Sequence, residues 1–262
     1  MARLELDGVP AAGLAARWDV PQVGLFRQLT STLDAIHDLA AQGAPDGTVV
    51  VAEVQTAGRG RDGRTWHSPA GGVWLGTLVR PPPTTAASPG GADPGAVALR
   101  AGLLLADAVD GLLGRAAAML KWPNDLLVGD RKLAGVLCES RWPGGAEAPQ
   151  WLAVGIGVNV CNEVPPTLAP RAVALREFLP DVRRVDLLDG VVPALRRLAV
   201  GGLRLTEAEC AAFAVRDWLR GRQIRQPIFG RAAGIRPDGA LLVDAGPGGG
   251  TTVVRQGHVE LA

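Results

Sequence analysis

Two lysines stand out in a chain whose other basic residues are all arginine. Lys121 and Lys132 are the only lysines among 27 basic residues, and they lie within twelve positions of each other. Because arginine has replaced lysine elsewhere, a retained lysine indicates a position that needs a compact ammonium group and not a wide planar guanidinium. Asparagine is also scarce, and Asn124 lies between the two lysines. These residues are therefore candidates for contacting an anionic ligand.

A second segment, "TAGRGRDGRTWHSP", concentrates glycine and arginine, and its residues 56–69 are called the Arg-Gly loop below. Glycines let backbone amides approach a ligand closely, and arginines offer charged donors to phosphate or carboxylate oxygens. A solvated hairpin loop has the same composition, so both interpretations stay open. A nucleic-acid tether is disfavoured because the run occurs once and lacks repeated aromatic residues for stacking. The glycines and arginines concerned are Gly58, Gly60, Gly63, Arg59, Arg61 and Arg64.

Three shorter motifs place polar residues beside apolar runs. In "KWPND", Asn124 and Asp125 are either turn residues at a strand end or groups that face a triphosphate and Mg²⁺. In "RKLAG", Lys132 lies on a predicted hairpin, and Gly135 permits close approach of a ligand. In "GIGVNV", Asn159 interrupts an apolar strand, so it is either a satisfied structural amide or a ligand contact.

The elements that position these motifs follow from hydrophobic spacing and turn signals. Ser31 followed by Asp34 has the spacing of a capping box, which predicts a helix over 32–42 at the beginning of the fold. Apolar runs predict strands at 48–55 and 71–80, so the Arg-Gly loop connects two strands. Gln55, at the end of the first of these strands, is either structural or a ligand contact.

The rest of the chain alternates helical and extended patterns until about residue 221, where short strands with tight turns take over. The predicted elements are a surface connection at 81–95, a helix at 96–113, a hairpin turning at 129–130, a strand at 150–160, a loop at 163–170 and helices at 186–200 and 206–219. The segment after 221 predicts a small β-barrel or meander that depends on docking to the rest of the protein.

Composition excludes several classes of protein. A formal net charge of +1 provides no overall basic field for DNA, RNA or an anionic membrane. Three cysteines without a C-x-x-C pair argue against disulfides and thiolate metal sites, and no signal-peptide-like segment is evident, so a cytoplasmic location is expected. His37 is expected on a helix surface, and His67 has no visible partners for a metal site.

Taken in order, "STLD", "AEVQTAGRGRDGRTWHSP", "GGVWLG", "KWPND", "RKLAGVLCE" and "GIGVNV" closely resemble the biotin protein ligase family. The tail "GRAAGIRPDGALLV…GHVEL" resembles that family's C-terminal Src-homology-3-like barrel. The resemblance implies an α/β (α+β) fold with a mixed, largely antiparallel sheet of the class II aminoacyl-tRNA-synthetase-like type. It divides the chain into a catalytic domain at 1–220 and a small β-barrel domain at 221–262.

What the resemblance implies is a two-step reaction: biotin and MgATP give biotinyl-5′-AMP and pyrophosphate, and biotin then passes to one lysine of a biotin carboxyl carrier protein. The implied catalytic residues are Arg61, Lys121, Lys132 and Asp125. The implied biotin-binding residues are Ser31, Thr32, Gln55, Gly58, Arg59, Gly60, Arg61, Trp74, Lys132 and Gly135. The implied ATP- and adenylate-binding residues are Arg61, Arg64, Trp66, Lys121, Asn124, Asp125, Lys132 and Asn159, with Asn124 and Asp125 also facing Mg²⁺.

The sequence departs from the family's pattern at three places. Leu33 stands where the family often has asparagine, Asp62 lowers the positive charge of the Arg-Gly loop, and no aromatic residue precedes Phe178 in the segment 170–178 that covers adenine in some relatives. The roughly thirty residues before Ser31 are too few for the helix-turn-helix of repressor members, so a monofunctional ligase without DNA binding is expected, as a monomer or weak homodimer. The alternatives are a lipoate or octanoate ligase or transferase of the same fold, and a catalytically silent biotin-binding module.

Overall fold

The computed structural model describes residues 4–81, 94–142, 149–200, 202–246 and 248–262. Most of the predicted surface connection, residues 82–93, lies outside these ranges. No helix in the described ranges is long and apolar enough to cross a membrane.

A seven-stranded mixed sheet forms the centre of the protein. Its strands, in spatial order, are β3 (Val23–Leu29), β4 (Val49–Gln55), β5 (Val73–Val79), β9 (Trp151–Val158), β8 (Arg131–Arg141), β7 (Asp125–Val128) and β6 (Ala118–Lys121). The first two strands pair in parallel and all other neighbours are antiparallel. The predicted mixed, largely antiparallel sheet is therefore confirmed.

Helices cover both faces of this sheet. Alternation along β4 directs Val49 and Val51 into one apolar cluster and Val50 into another, as the period of two requires. The second cluster includes Leu33, Ile36 and Ala40 of helix α2. The helices are α1 (Ala11–Trp18), α2 (Thr32–Ala41), α3 (Pro94–Leu113), α4 (Arg184–Leu195), α5 (Arg197–Val200) and α6 (Glu207–Arg216).

Folded structure begins well before the predicted start at Ser31. A two-stranded hairpin, β1 (Glu5–Leu6) and β2 (Val9–Pro10), precedes α1. Leu14 and Trp18 of that helix are fully buried, and the Trp18 indole donates to Asp189 of α4 over 2.9 Å. The expectation of a fold beginning at Ser31 is therefore wrong. The earlier elements have weak sequence patterns, because α1 has only eight residues and the edge strand β3 carries polar Arg27 and Gln28.

Predicted helix boundaries in the second half need adjustment. The predicted helix over 186–200 is two helices, α4 and α5, and the predicted helix over 206–219 ends at Arg216. Thr206 caps α6 by accepting from the Glu209 amide, while the Glu209 carboxylate accepts from the Thr206 amide. The early end of α6 leaves Trp218 outside the helix and facing the cavity described below.

The C-terminal residues form a separate five-stranded antiparallel sheet. In spatial order its strands are β13 (Thr251–Val254), β12 (Leu241–Asp244), β11 (Gly230–Ile235), β10 (Gln223–Gln226) and β14 (Glu260–Leu261). The sheet shares the main apolar core through Ile224 and Leu241, and Gly239 accepts from the buried Trp122 indole over 2.8 Å. The predicted docking against the rest of the protein is confirmed, whereas the Src-homology-3-like closure and the domain boundary after residue 220 stay predictions.

Candidate active site

A cavity of about 620 Å³ opens beside the sheet, beneath the Arg-Gly loop. Its walls come from the start of α2, the hairpin β7–β8, the strand β9, the segment after β9, Trp218 and the segment between β13 and β14. All the residues implied by the resemblance line this cavity except Gly58 and Trp74. The lining residues among them are Ser31, Thr32, Gln55, Arg59, Gly60, Arg61, Arg64, Trp66, Lys121, Asn124, Asp125, Lys132, Gly135 and Asn159.

The end of the cavity next to α2 is lined by a fixed polar group. The Gln55 carbonyl oxygen accepts from the Thr32 amide over 2.8 Å and from the Thr32 hydroxyl over 3.1 Å, and the Gln55 amide donates to Ser68 over 2.9 Å. Ser31 caps α2 by accepting from the Leu33 amide. The Ser31 and Thr32 side chains are thus both structural and placed on the cavity wall.

The predicted capping box at the start of α2 forms only in part. Asp34 does not return a bond to Ser31, because its carboxylate accepts from Thr30 over 3.1 Å and from Arg59 over 2.7 Å. Leu33 packs closely over Gly155, where a Cβ atom would lie 2.9 Å from the leucine side chain. An apolar side chain therefore occupies the position where the family often has asparagine.

The Arg-Gly loop is folded back on itself. The Trp66 amide donates to the Gly58 carbonyl over 2.8 Å, the Gly60 amide donates to the Arg64 carbonyl over 2.7 Å, and Arg61–Gly63 form one turn of 3₁₀ helix. Asp62 has a φ of 56°, in the left-handed region that aspartate tolerates better than most residues. The loop is thus a compact turn with its own backbone hydrogen bonds.

Gly58 serves packing at the base of this loop and does not line the cavity. A Cβ atom there would lie 2.5 Å from the Trp66 carbonyl oxygen and 2.6 Å from the Ser68 hydroxyl. Gly58 is thus enclosed by its neighbours and absent from the cavity wall, and its expected biotin contact stays a prediction.

The three arginines of the loop have different surroundings. Arg59 is held by carboxylates of Asp34 and Glu139, at 2.7 Å and 3.2 Å. The Nε atom of Arg61 is buried, and no acceptor lies within hydrogen-bond distance of it in the described part of the chain. Arg64 donates to His258 Nδ1 over 3.3 Å. Among the residues described, no carboxylate pairs with Arg61 or Arg64, so both are placed to serve an anionic ligand.

The centre of the cavity combines an ammonium, a carboxylate and an indole. Lys132 Nζ lies 2.6 Å from Asp125 Oδ1 and 4.9 Å above the Trp66 ring. The Trp66 ring lies directly on the backbone of Gly157, where a Cβ atom would be 2.5 Å from the indole nitrogen. That nitrogen is buried without a partner among the residues described. The hairpin predicted to carry Lys132 is confirmed, with its turn at Gly129 and Asp130.

Lys121 lies on the same wall, at the end of β6. Its ammonium group is 5.2 Å above the Trp218 ring, and burial lowers its pKa below the ordinary lysine value, with Asp125 opposing part of that effect. An incoming polyphosphate would favour the charged form of this lysine.

The oxygen donors suited to Mg²⁺ are few. The Asn124 amide nitrogen donates to the Val136 carbonyl over 3.0 Å, which leaves the side-chain oxygen of Asn124 for another partner beside the Asp125 carboxylate. No group of three or more His, Cys, Asp or Glu side chains is placed to hold a metal within the described ranges. This pair fits a metal ion that arrives on a nucleotide and keeps most of its ligands from phosphate and water.

The far end of the cavity has buried amides and an aliphatic wall. Asn162 donates to the side-chain oxygen of Asn159 over 3.0 Å and accepts from the Val160 amide, so the Asn159 side chain is oriented by its neighbour. Leu168, with Val164, Pro165 and Pro170, lines this end, whereas Phe178 packs against the main core. The part of the wall that this segment supplies is therefore aliphatic.

Trp74 supports the site from below and does not form its wall. Its side chain is fully buried, its indole donates to the Pro69 carbonyl over 2.9 Å, and its ring meets Trp66 edge-on at 6.5 Å. The structure does not place Trp74 on the cavity wall, so its expected ligand contact stays a prediction, whereas Trp66 does line the cavity.

Several lining residues escaped sequence reasoning. Trp218 lies between the cations Lys121 and Arg222, at 5.2 and 3.8 Å from its ring, and its indole donates to Asp130 over 2.6 Å. His258 comes from the segment between β13 and β14, and burial together with the charges of Arg64 and Lys121 lowers its pKa. The signal that could have found it is scarcity, since the sequence has only three histidines.

His37 is largely buried and not on a helix surface as expected. Its side chain is 14% exposed, and its two ring nitrogens bond to Glu139 over 3.1 Å and to Trp151 over 3.0 Å. The helix pattern alone did not reveal that strands β8 and β9 supply these partners.

This sheet, with the Arg-Gly loop and two lysines facing one cavity, is that of a ligase domain. The chain belongs to the Biotin/lipoate A/B protein ligase family, whose model matches residues 25–159. Among curated relatives, the biotin--[acetyl-CoA-carboxylase] ligase of Mycobacterium tuberculosis is 33% identical over 91% of this chain and 88% of its own. The enzyme of the same name from Paracoccus denitrificans is 36% identical over 80% and 88%. A solved structure of biotin protein ligase from Aquifex aeolicus in complex with biotin and ATP has a TM-score of 0.71, at 25% identity, covering 92% of this chain and 99% of that one.

Proposed function

We propose that this chain is an ATP-dependent biotin protein ligase, which activates biotin as biotinyl-5′-AMP and transfers it to a lysine of a biotin carboxyl carrier protein. One observation carries the proposal: Arg61, Lys121 and Lys132 converge on one cavity whose other end is lined by the Thr32–Gln55 pair. The names of the relatives support the same activity. The Aquifex aeolicus protein, which has the same fold, was solved with both biotin and ATP.

In the first step a biotin carboxylate oxygen attacks the α-phosphorus of ATP, a new P–O bond forms, and pyrophosphate leaves. Two anions must meet, so the site has to neutralise charge that increases in the transition state. Lys132 is placed for this task because its ammonium lies between Asp125 and the Trp66 ring, at the centre of the cavity. Arg61, whose buried Nε faces no protein acceptor within the described residues, would address the same developing charge.

The remaining cations would bind the leaving group. Arg64 and Lys121 line the wall near His258, away from the Thr32–Gln55 pair, and are placed for the β- and γ-phosphates. Asp125 and the Asn124 side-chain oxygen would contact the Mg²⁺ that accompanies ATP as substrate. Asn159 would contact the nucleoside.

In the second step the carrier lysine, as a neutral amine, attacks the acyl carbon of biotinyl-5′-AMP. A C–N bond forms, the bond to the phosphate oxygen breaks, AMP leaves, and one proton is released. Asp125 lies beside Lys132 on the cavity wall and would accept that proton as its contact with Lys132 is exchanged for one to the substrate amine.

The competing proposal is a lipoate or octanoate ligase or transferase of the same family. The experiment that separates them measures pyrophosphate release from MgATP with the purified chain, in the presence of biotin, lipoate or octanoate. Release that depends on biotin is expected. Release with lipoate and none with biotin would overturn the assignment, and no release with any acid would leave a catalytically silent binding module.

The partners that accompany this function are a biotin carboxyl carrier protein and no nucleic acid. The near-neutral formal charge of +1 supports the second part, because DNA binding relies on clustered positive charge. We further propose that the chain works in the cytoplasm. We also propose that it is a monomer or weak homodimer, and sedimentation of the purified protein would test this oligomeric state.

A further inference from the structure

A chain of hydrogen bonds runs from the sheet to the first arginine of the Arg-Gly loop. The Trp151 indole donates to His37 Nδ1 over 3.0 Å. Because Nδ1 accepts, the proton of neutral His37 is on Nε2, which donates to Glu139 Oε2 over 3.1 Å. The ring is therefore fixed in one tautomer, and it fixes the Glu139 carboxylate in turn.

Glu139 and Asp34 together hold the guanidinium of Arg59. Two nitrogens of Arg59 donate to the two oxygens of Glu139, both over 3.2 Å, and a third donates to Asp34 over 2.7 Å. The hydrogen bond from His37, together with Arg59, holds the pKa of Glu139 below its usual range, so it is a carboxylate throughout the neutral pH range. We call Trp151, His37, Glu139, Asp34 and Arg59 the Arg59 network.

This arrangement separates Arg59 from the other loop arginines. The two carboxylates more than offset the positive charge of Arg59, whereas Arg61 and Arg64 have no carboxylate partner in the described chain. The network also joins three elements, since Asp34 and His37 belong to α2, Glu139 to β8 and Trp151 to β9. Arg59 therefore attaches one side of the loop to the framework of the fold.

We propose that His37 and Glu139 are positioning residues that hold Arg59, and through it keep the Arg-Gly loop closed over biotinyl-5′-AMP. The proposal rests on the proposed function. It changes the role implied for Arg59 from a ligand contact to an anchor of the loop. Loss of the anchor should release the bound intermediate sooner while leaving the groups that act on ATP in place.

The primary test is Glu139→Gln, which keeps the size of the side chain and removes its charge. Enzyme loaded with biotin and MgATP is freed of excess ligand, and the release of biotinyl-5′-AMP is followed without carrier protein. Loss of charge-assisted hydrogen bonds to Arg59 is expected to speed release about tenfold, with the KM for ATP within about twofold of the unchanged protein. The matched control is Asp38→Asn, an exposed carboxylate on the same helix without a side-chain partner in the described ranges, which should release at the original rate.

A second pair of variants separates positioning from general destabilisation. Asp34→Asn removes the other carboxylate of Arg59 at a half-exposed position and should also speed release. His37→Phe should speed release less than Glu139→Gln, and the double variant should fall short of the product of the two effects, because both act through Arg59. A structural role would instead lower Tm and change the release rate, kcat and the KM for ATP by similar factors in each variant. That result would overturn the proposal.

The two levels of failure are distinguishable. If the unchanged protein forms no biotinyl-5′-AMP, the proposed function is wrong. If it forms and retains the intermediate, and Glu139→Gln and Asp34→Asn retain it equally long, only the anchoring role is wrong.

Discussion

The contact between Gly157 and Trp66 gives the sharpest test of how the site is built. An alanine Cβ at Gly157 would lie 2.5 Å from the Trp66 indole nitrogen, whereas ordinary contacts begin at 3.4 Å, so the ring must move by about 0.9 Å, the difference between the two. Lys132 lies 4.9 Å above that ring, so the displacement reaches the ammonium at the cavity centre. A misplacement of about 1 Å can cost about 10²-fold in rate, and we expect Gly157→Ala to lose roughly tenfold to 10²-fold in biotin-dependent pyrophosphate release.

The assay compares this variant with Gly111→Ala. A Cβ at Gly111, on helix α3, would meet no atom within 4 Å, so that variant should keep full activity and gain roughly 0.5–1 kcal/mol of stability. Thermal unfolding of both variants, measured beside the rates, separates a displaced Trp66 from a protein that no longer folds. Full activity in a folded Gly157→Ala protein would refute the claim that Trp66 and Lys132 act as one unit.

Three further predictions concern the cations. Lys132→Ala should lower the rate of adenylation by roughly 10²- to 10³-fold, about 2.7–4 kcal/mol, and near-normal adenylation would exclude its proposed role. Because burial lowers the pKa of Lys121, this lysine loses its charge at a pH below the ordinary lysine pKa of about 10.4, and the KM for ATP should rise as it does so. Lys121→Arg should abolish that rise, and a variant with the same pH profile as the unchanged protein would contradict the prediction. Arg61→Gly should release biotinyl-5′-AMP early yet leave the enzyme itself almost unmodified on lysine, since its only lysines are the two in the site; mass spectrometry showing abundant lysine biotinylation would refute this.

The sequence was sufficient for the parts of the fold with strong local patterns. The apolar runs around the Arg-Gly loop predicted β4 and β5 to within about two residues, and the turn at 129–130 placed Lys132 on its hairpin. The edge strand β3 was not predicted, because a half-exposed edge strand lacks the continuous apolar run of a central strand.

The residues of the candidate site were also only partly predictable from the sequence. Scarcity of lysine and asparagine pointed to Lys121, Lys132 and Asn124, and all three line the cavity. Trp218 carried no such signal, and the scarcity of histidine could have pointed to His258 but not to its place in the cavity. The sequence also did not show which residues of a motif face the cavity.

Trp74 and Gly58 illustrate this last point. Gly58 belongs to the Arg-Gly loop, which lines the cavity, yet it is enclosed at the base of that loop, and Trp74 supports Trp66 from below. A sequence motif shows which residues are neighbours along the chain, and only the packing of the folded protein decides which of their side chains reach the ligand.

The central claim is that this cavity activates biotin and passes it to a carrier lysine. The most direct measurement follows labelled biotin onto a purified biotin carboxyl carrier domain with ATP and Mg²⁺, with Lys132→Ala as the matched variant. We predict ATP-dependent labelling of one carrier lysine by the unchanged protein and severely reduced labelling by the variant. Absence of labelling by the unchanged protein, or equal labelling by both, would contradict the account.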